Sequence, residues 1–240
     1  MNNSPAWSPL YGLGYGIPEF TKMFALEEEA LDWKILNCQA GLNIFSAEMA
    51  KAGRRVVACD PLYQSPLSEI QNRALQARMT FAADWARYPE RFSLESAYIP
   101  QKLASAQADL ERLCEDLPGG LIEGRYIAEA LPGLSFRNEQ FDLALVNHFL
   151  FTQALSVAFQ VQALEALARV ANEIRIFPLV DSEDKVPNTL GEVIARLQQV
   201  GLSTEIRPVA FTVQKQDNAI LRIWTDSCTV AAHKNIAENP

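Results

Sequence analysis

Three groups of residues in this chain have the types and spacing to do chemistry. The run Asn37-Cys38-Gln39-Ala40-Gly41 leaves a short apolar stretch and enters a glycine-bearing turn. Asp60 closes the next apolar stretch. An acid about 20 residues beyond such a turn, at the end of the second strand, is placed to accept hydrogen bonds from both hydroxyls of a ribose. Asn147 and His148 end a later apolar stretch, and His148 is one of two histidines. An imidazole titrates near neutrality and can take a proton from an acceptor. A ligand-free turn, an acid that caps a helix and a hydrogen-bonded structural histidine are the competing readings of the same residues.

These groups need elements to position them. Residues 34–38 form a short apolar run that stops at Gly41, the pattern of a buried strand. Asn43 is the expected helix N-cap, Phe45, Met49 and Ala52 follow at helical spacing, and Gly53 ends the helix. Residues 55–59 are a second strand ending at Asp60. Strand, helix and strand in this order make a parallel βαβ unit. Residues 125–128, 141–147 and 173–179 read as further strands, and residues 157–171 and 189–200 as helices. Residues 203–209 and 220–224 are joined by a short connection and are expected to pair as an antiparallel hairpin. The fold class is therefore α/β, a doubly wound and mostly parallel seven-stranded sheet ending in that hairpin. In such sheets ligands sit beyond the carboxyl ends of the strands, where strand order reverses.

One domain accounts for residues 1–240. Residues 1–23, rich in Gly, Pro and aromatics, read as an irregular N-terminal arm, and residues 26–31 as a short acidic helix. Residues 64–124 are far longer than a crossover requires and read as a helical insertion. Its aromatics Phe81, Trp85, Tyr88, Phe92 and Tyr98 suit a satellite core or a lid. Residues 226–240 read as a loose tail.

With 49% hydrophobic residues the chain can bury a sizeable core. A net charge of -8 argues against a broad nucleic-acid surface. Cys38, Cys59, Cys114 and Cys228 match no metal-binding or redox spacing, so no metal is expected and buried free thiols in a reducing compartment are. No apolar run approaches a membrane span and no signal segment opens the chain, so the expectation is a cytoplasmic protein without membrane contact. The sequence sets no oligomeric state.

Residues 35–45, from Ile35 through Asn37, Gln39, Gly41 and Asn43 to Phe45, resemble the first motif of class I S-adenosylmethionine-dependent methyltransferases, apolar-apolar-Asp-x-Gly-x-Gly-x-Gly. Val56-Val57-Ala58-Cys59-Asp60-Pro61 resembles their acidic second motif. Residues 134–142, followed by the run to Asn147 and His148, are similar to the segment leading into their fourth strand. Residues 175–179 lie where such enzymes place the fifth strand. More narrowly, the chain resembles an uncharacterised bacterial subgroup with a degenerate first motif. The resemblance implies strand order 3-2-1-4-5-7-6, S-adenosylmethionine as cofactor, and methyl transfer to a small-molecule or protein acceptor. It further implies a cofactor site made by Asn37, Gln39, Gly41, Asp60, Pro61, Leu62, Ala130 and Leu131. Asn147 and His148 would face the methyl group or the acceptor, and Tyr11 and Tyr15 could close the site from the arm.

Four positions depart from the pattern. Asn37 stands where a carboxylate is usual, Gln39 and Asn43 replace glycines, and Ala130 aligns with the acid that grips adenine. These departures motivate an alternative, a catalytically inactive binding or regulatory protein with its pocket plugged by Gln39. A nicotinamide-dependent oxidoreductase shares the βαβ unit and the ribose acid, but the chain lacks Gly-x-Gly-x-x-Gly after its first strand.

Overall fold

Strand β1 (Ile35–Cys38) is buried at every residue, as an interior parallel strand covered on both faces must be. It pairs in parallel with β2 (Val56–Cys59) on one side and β4 (Phe141–Asn147) on the other. Cys38 lies opposite both Cys59 and Val146, so the residues just past the three strands emerge at one edge of the sheet. The computed structural model describes residues 13–92, 97–212, 215–216 and 218–225. Tyr11, Cys228 and the expected tail lie outside them.

Outward from this centre, β3 (Tyr126–Ile127) pairs with β2, and β5 (Ala171–Phe177) with β4, both in parallel. β7 (Ala219–Thr225) is antiparallel to β5, and β6 (Leu202–Pro208) is antiparallel to β7. The order is β3-β2-β1-β4-β5-β7-β6. Alternate residues of the central strands serve opposite faces. Leu36, Ala144, Val146, Ile174 and Ile176 pack with Leu164 and Leu167 of α5 (Val157–Val170) and Val193 and Leu197 of α6 (Leu190–Gln199). Ile35, Leu143, Leu145 and Phe177 pack on the other face with Phe45 and Met49 of α2 (Phe45–Lys51) and Phe20 and Met23 of α1 (Ile17–Met23).

Between β2 and β3 run a 3-10 turn (Pro61–Gln64), α3 (Leu67–Arg87), a second 3-10 turn (Pro89–Arg91) and α4 (Tyr98–Ile122). Phe81 and Phe92 meet edge to face at 5.6 Å and join the core that includes α1 and α2. α4 continues through Pro118, which falls in the last turns of the helix.

Several local expectations are corrected. The arm is not wholly irregular: Gly16 precedes α1, whose second residue is Pro18, a position where the missing N–H has no intrahelical partner. The short acidic helix is a 3-10 helix over Glu28–Asp32, starting two residues later than expected. β5 starts at Ala171, directly after α5, two residues before the expected point. The arm is tied to the sheet by charge. Arg175 Nη1 donates to the carbonyls of Phe24 and Ala25 at 2.8 and 2.9 Å, and Glu173 accepts from both Arg175 and Arg222.

Candidate functional site

After β1 the chain turns through Gln39 and Gly41, each with a φ of 55°. Glycine adopts this left-handed geometry freely, whereas a glutamine there is strained by about 1–2 kcal/mol. The turn is stitched from within. Asn37 Nδ2 donates to Asn43 Oδ1 at 3.0 Å and lies 3.1 Å from Ser46 Oγ, and Asn43 donates to the Ala40 carbonyl. Asn43 therefore holds the turn and does not cap α2, whose N-cap position is Ile44. The other Asn37 amide atom, Oδ1, is fully buried and has no hydrogen-bond partner among the described residues.

Asp60 joins this turn to the next strand end. Its Oδ2 accepts from Gly41 N at 2.9 Å and its Oδ1 from Leu62 N at 2.8 Å. It thus caps the short turn after β2 and clamps the turn after β1, two roles where sequence reasoning set a cap against a ligand. Burial pushes its pKa from about 3.8 to about 6, against the pull of the two N–H groups and Arg73. Tyr63 OH donates to the Gly41 carbonyl at 3.2 Å. Pro61 is half-buried, and Leu62 and Leu131 are buried. Cys59 Sγ lies 3.4 Å from the Glu129 carbonyl and holds the residue 129–131 segment beside β2. Ala130 is exposed, in an isolated bridge to Gly133.

The third group lies past β4. His148 has a φ of 49°, and its N–H donates to the Phe177 carbonyl at 2.7 Å. Its Nδ1 is 2.5 Å from Asn147 Oδ1. An amide oxygen only accepts, so Nδ1 carries the proton and the lone pair falls on Nε2. The ring stands edge to face with Phe177 at 5.4 Å and stacks on Tyr15 at 6.0 Å. Burial lowers its pKa to about 3, so the ring is neutral at pH 7.

Tyr15 touches both halves of the site. Its carbonyl accepts from Ile44 N at 2.9 Å and Phe45 N at 3.1 Å, at the start of α2. Its ring also meets Phe211 edge to face at 5.7 Å. Sheet register thus brings Asn37, Gln39, Gly41, Asp60, Asn147 and His148 to one edge, while Ala130 faces outward. Sequence reasoning missed Ser46, Tyr63, Phe177 and Phe211. Tyr63, three residues past the strand-end acid, carried a weak signal; Phe211 lies in a connection with none.

The donor and acceptor set can be tested against a nucleoside carrying an amino acid. Each Asp60 oxygen keeps a second lone pair for a ribose hydroxyl. The unpartnered Asn37 Oδ1 suits an ammonium, and Leu62 and Leu131 offer apolar surface to a purine. The residues fit such a group at these three points, whereas Gln39 brings a side chain to a turn usually lined by glycine. Among the described residues, no cluster of His, Cys, Asp or Glu could hold a metal ion, and no helix is long and apolar enough to cross a membrane.

No protein-family model matches the chain. An uncharacterized protein of Methanocaldococcus jannaschii is 28% identical over 174 residues, covering 70% of this chain and 77% of that protein. Among solved structures, a SAM-dependent methyltransferase from Methanosarcina mazei aligns at 11% identity and a TM-score of 0.42, covering 83% of this chain and 94% of its own. The N-methyltransferase NodS from Bradyrhizobium japonicum, in complex with S-adenosyl-L-homocysteine, aligns at 13% identity and a TM-score of 0.44, covering 86% and 84%. The fold assignment rests on strand order rather than on these likenesses. Seven strands ordered β3-β2-β1-β4-β5-β7-β6, with only β7 antiparallel to its neighbours, give this chain the fold of the class I S-adenosylmethionine-dependent methyltransferases.

Proposed function

We propose that the protein binds S-adenosylmethionine in the crevice beyond β1, β2 and β4 and transfers its methyl group to a small-molecule or protein acceptor. One observation carries the proposal: Asp60 clamps Gly41 N and Leu62 N together, which makes the first turn and the ribose-side acid a single unit at the switch point of the sheet. In this reading Asp60 receives the ribose hydroxyls. Pro61, Leu62 and Leu131 flank the adenine, with the backbone at Ala130 and Leu131 toward its amino edge. Asn37, Gln39 and Gly41 hold the methionine end.

When bound, the cofactor supplies an electrophilic methyl group on a sulfonium. The chain's own contribution is then alignment and exclusion of water. Asn147 fixes the tautomer of His148, and the neutral ring, with its pKa lowered to about 3, serves to orient an acceptor by accepting a hydrogen bond at Nε2 rather than by taking its proton. With a net charge of -8, a nucleic acid is a poor match as acceptor.

The test is calorimetric titration and thermal denaturation with S-adenosylmethionine and S-adenosylhomocysteine. Ligand at about 100 times its Kd should add about 2.7 kcal/mol of stability. No heat and no shift at millimolar ligand would sink the proposal. They would instead favour the non-catalytic reading.

A further inference from the structure

The five side chains that define the crevice are all closed off: Asn37, Gln39, Asp60, Asn147 and His148 are between 0% and 7% exposed. A cofactor-sized molecule can reach them only if something moves. The segment from Gly14 to Glu19 touches both the turn after β1 and the ring of His148, through Tyr15.

What holds this strap down is polar and concentrated on two helices. Lys102 of α4 donates through Nζ to the Gly14 carbonyl at 2.8 Å and to Asp109 Oδ2 at 3.0 Å, and sits 3.3 Å from Glu19 Oε1. Tyr98 OH donates to the same Glu19 oxygen at 3.0 Å. Glu19 Oε2 accepts from Gly16 N at 2.9 Å, and Glu48 Oε2 of α2 accepts from Ile17 N at 2.8 Å. Arg112 pairs with both Glu48 and Asp109. Gly16 is required by this seat, since a Cβ there would lie 2.3 Å from Glu48 Oε2.

We infer that residues 14–19 are a gate over the crevice and that Lys102 is its latch; the inference rests on the crevice being the ligand site. A buried ion pair regains hydration when it separates, and removing one partner leaves the other buried without its counter-charge in the closed seat. Lys102 and Glu19 would rehydrate together as the strap lifts, while Asp109 keeps Arg112. Lifting also frees the Ile44 and Phe45 amides and removes the Tyr15 ring from His148. By contrast, Arg175 anchors residues 24 and 25 from beneath, so the hinge falls within or just after α1.

The experiment is hydrogen exchange by mass spectrometry on the full chain, read at the C2–H of His148 and at backbone amides. Wild type is compared with Glu19→Gln, which keeps the shape, and Lys102→Met, which removes the charge. Both variants should exchange at His148 at least about 10-fold faster than wild type while the amides of β4 and β5 keep their protection. Rates within about twofold of wild type in both folded variants overturn the gate. So does acceleration at His148 that only tracks a rise in β4 and β5, which is global unfolding. Millimolar S-adenosylhomocysteine separates this inference from the cofactor reading. Slower exchange at residues 13–19 and at Ile44 and Phe45 supports both. Faster His148 exchange in the variants, with no calorimetric binding to any form, leaves the gate standing and removes the cofactor.

Discussion

Replacing Asp60 with Asn tests the central joint of the site through the pH dependence of stability. The folded protein holds the Asp60 pKa at about 6 rather than 3.8, because burial outweighs the two N–H groups and Arg73. A pKa raised by folding contributes stability that is present below about 3.8 and is lost as pH rises through about 6. At about 1.4 kcal/mol per tenfold change in proton affinity, the whole effect is about 3 kcal/mol. An Asn cannot titrate, and like a protonated Asp it presents one acceptor and one donor to the amides of Gly41 and Leu62. The variant therefore starts close to wild type at low pH, where Asp60 is itself protonated in the folded protein. Its stability relative to wild type should climb by about 2–3 kcal/mol between about pH 4 and about pH 7. Wild type alone hides this slope. His148, with a pKa lowered to about 3, contributes stability present above about 6.5 that is lost as pH falls, so the two groups oppose each other in one window. The histidine is common to both proteins and cancels in the difference. Urea titrations across that pH range measure it. A flat difference, or one that falls as pH rises, would refute the burial argument and with it the picture of Asp60 as a charged clamp awaiting hydroxyl donors.

Three further perturbations follow from the same geometry. Gln39→Gly relieves the left-handed strain but loosens the unfolded chain, so its Tm should stay within a few degrees of wild type; calorimetry should show at least about fivefold tighter S-adenosylhomocysteine if the side chain obstructs the turn. His148→Asn tolerates the positive φ and loses the ring contacts. It should be about 2–3 kcal/mol less stable near neutrality, with a deficit that shrinks as pH falls from about 6.5 toward about 4, measured by urea titration. Glu173→Gln leaves Arg175 and Arg222 buried without their shared carboxylate and should cost about 3–5 kcal/mol, seen as a lower urea midpoint with unchanged slope.

The sheet was legible because its strands obey local rules. Residues 141–147 were bounded correctly on both sides: a polar stretch precedes Phe141, and strand geometry ends where His148 turns left-handed. The strand order came from the resemblance to the methyltransferases, with which the βαβ alternation and the terminal hairpin agreed. The site was legible only in part. Asn43 has the side chain of an N-cap, and nothing in the sequence says that Ala40 and Asn37 compete for it. The start of β5 was hidden because α5 runs into it without a turn residue. α4 runs on through Pro118, where a proline normally ends or kinks a helix. The strap was legible only as Tyr15 closing the site from the arm, not in what seats it. Its hold on the body comes from Lys102, Asp109 and Glu48, residues 29 or more positions away that look like ordinary helix-surface charges.

Two side chains, Gln39 and His148, occupy left-handed backbone at the carboxyl ends of the adjacent strands β1 and β4. Each costs about 1–2 kcal/mol that glycine would not. For His148 the geometry has a visible return. The turn aims the ring between Phe177 and Tyr15 and sets Nδ1 against Asn147, so the strain is converted into a fixed tautomer. For Gln39 the described residues show no such return within the fold, since neither the turn stitching nor the Asp60 clamp uses its side chain. Strain without a structural beneficiary points to a ligand. A glutamine amide can donate and accept at once, and Asn37 Oδ1 lies on the same turn, two residues earlier in the chain. Together these amides present a neutral, two-sided surface where a carboxylate and glycines are usual. A zwitterionic amino acid end, with ammonium and carboxylate side by side, can satisfy both groups, whereas an isolated cation would be held less well than by a carboxylate. The amide-rich turn is thus compatible with a working cofactor site that binds by hydrogen bonding rather than by charge, and salt should then weaken ligand affinity only slightly.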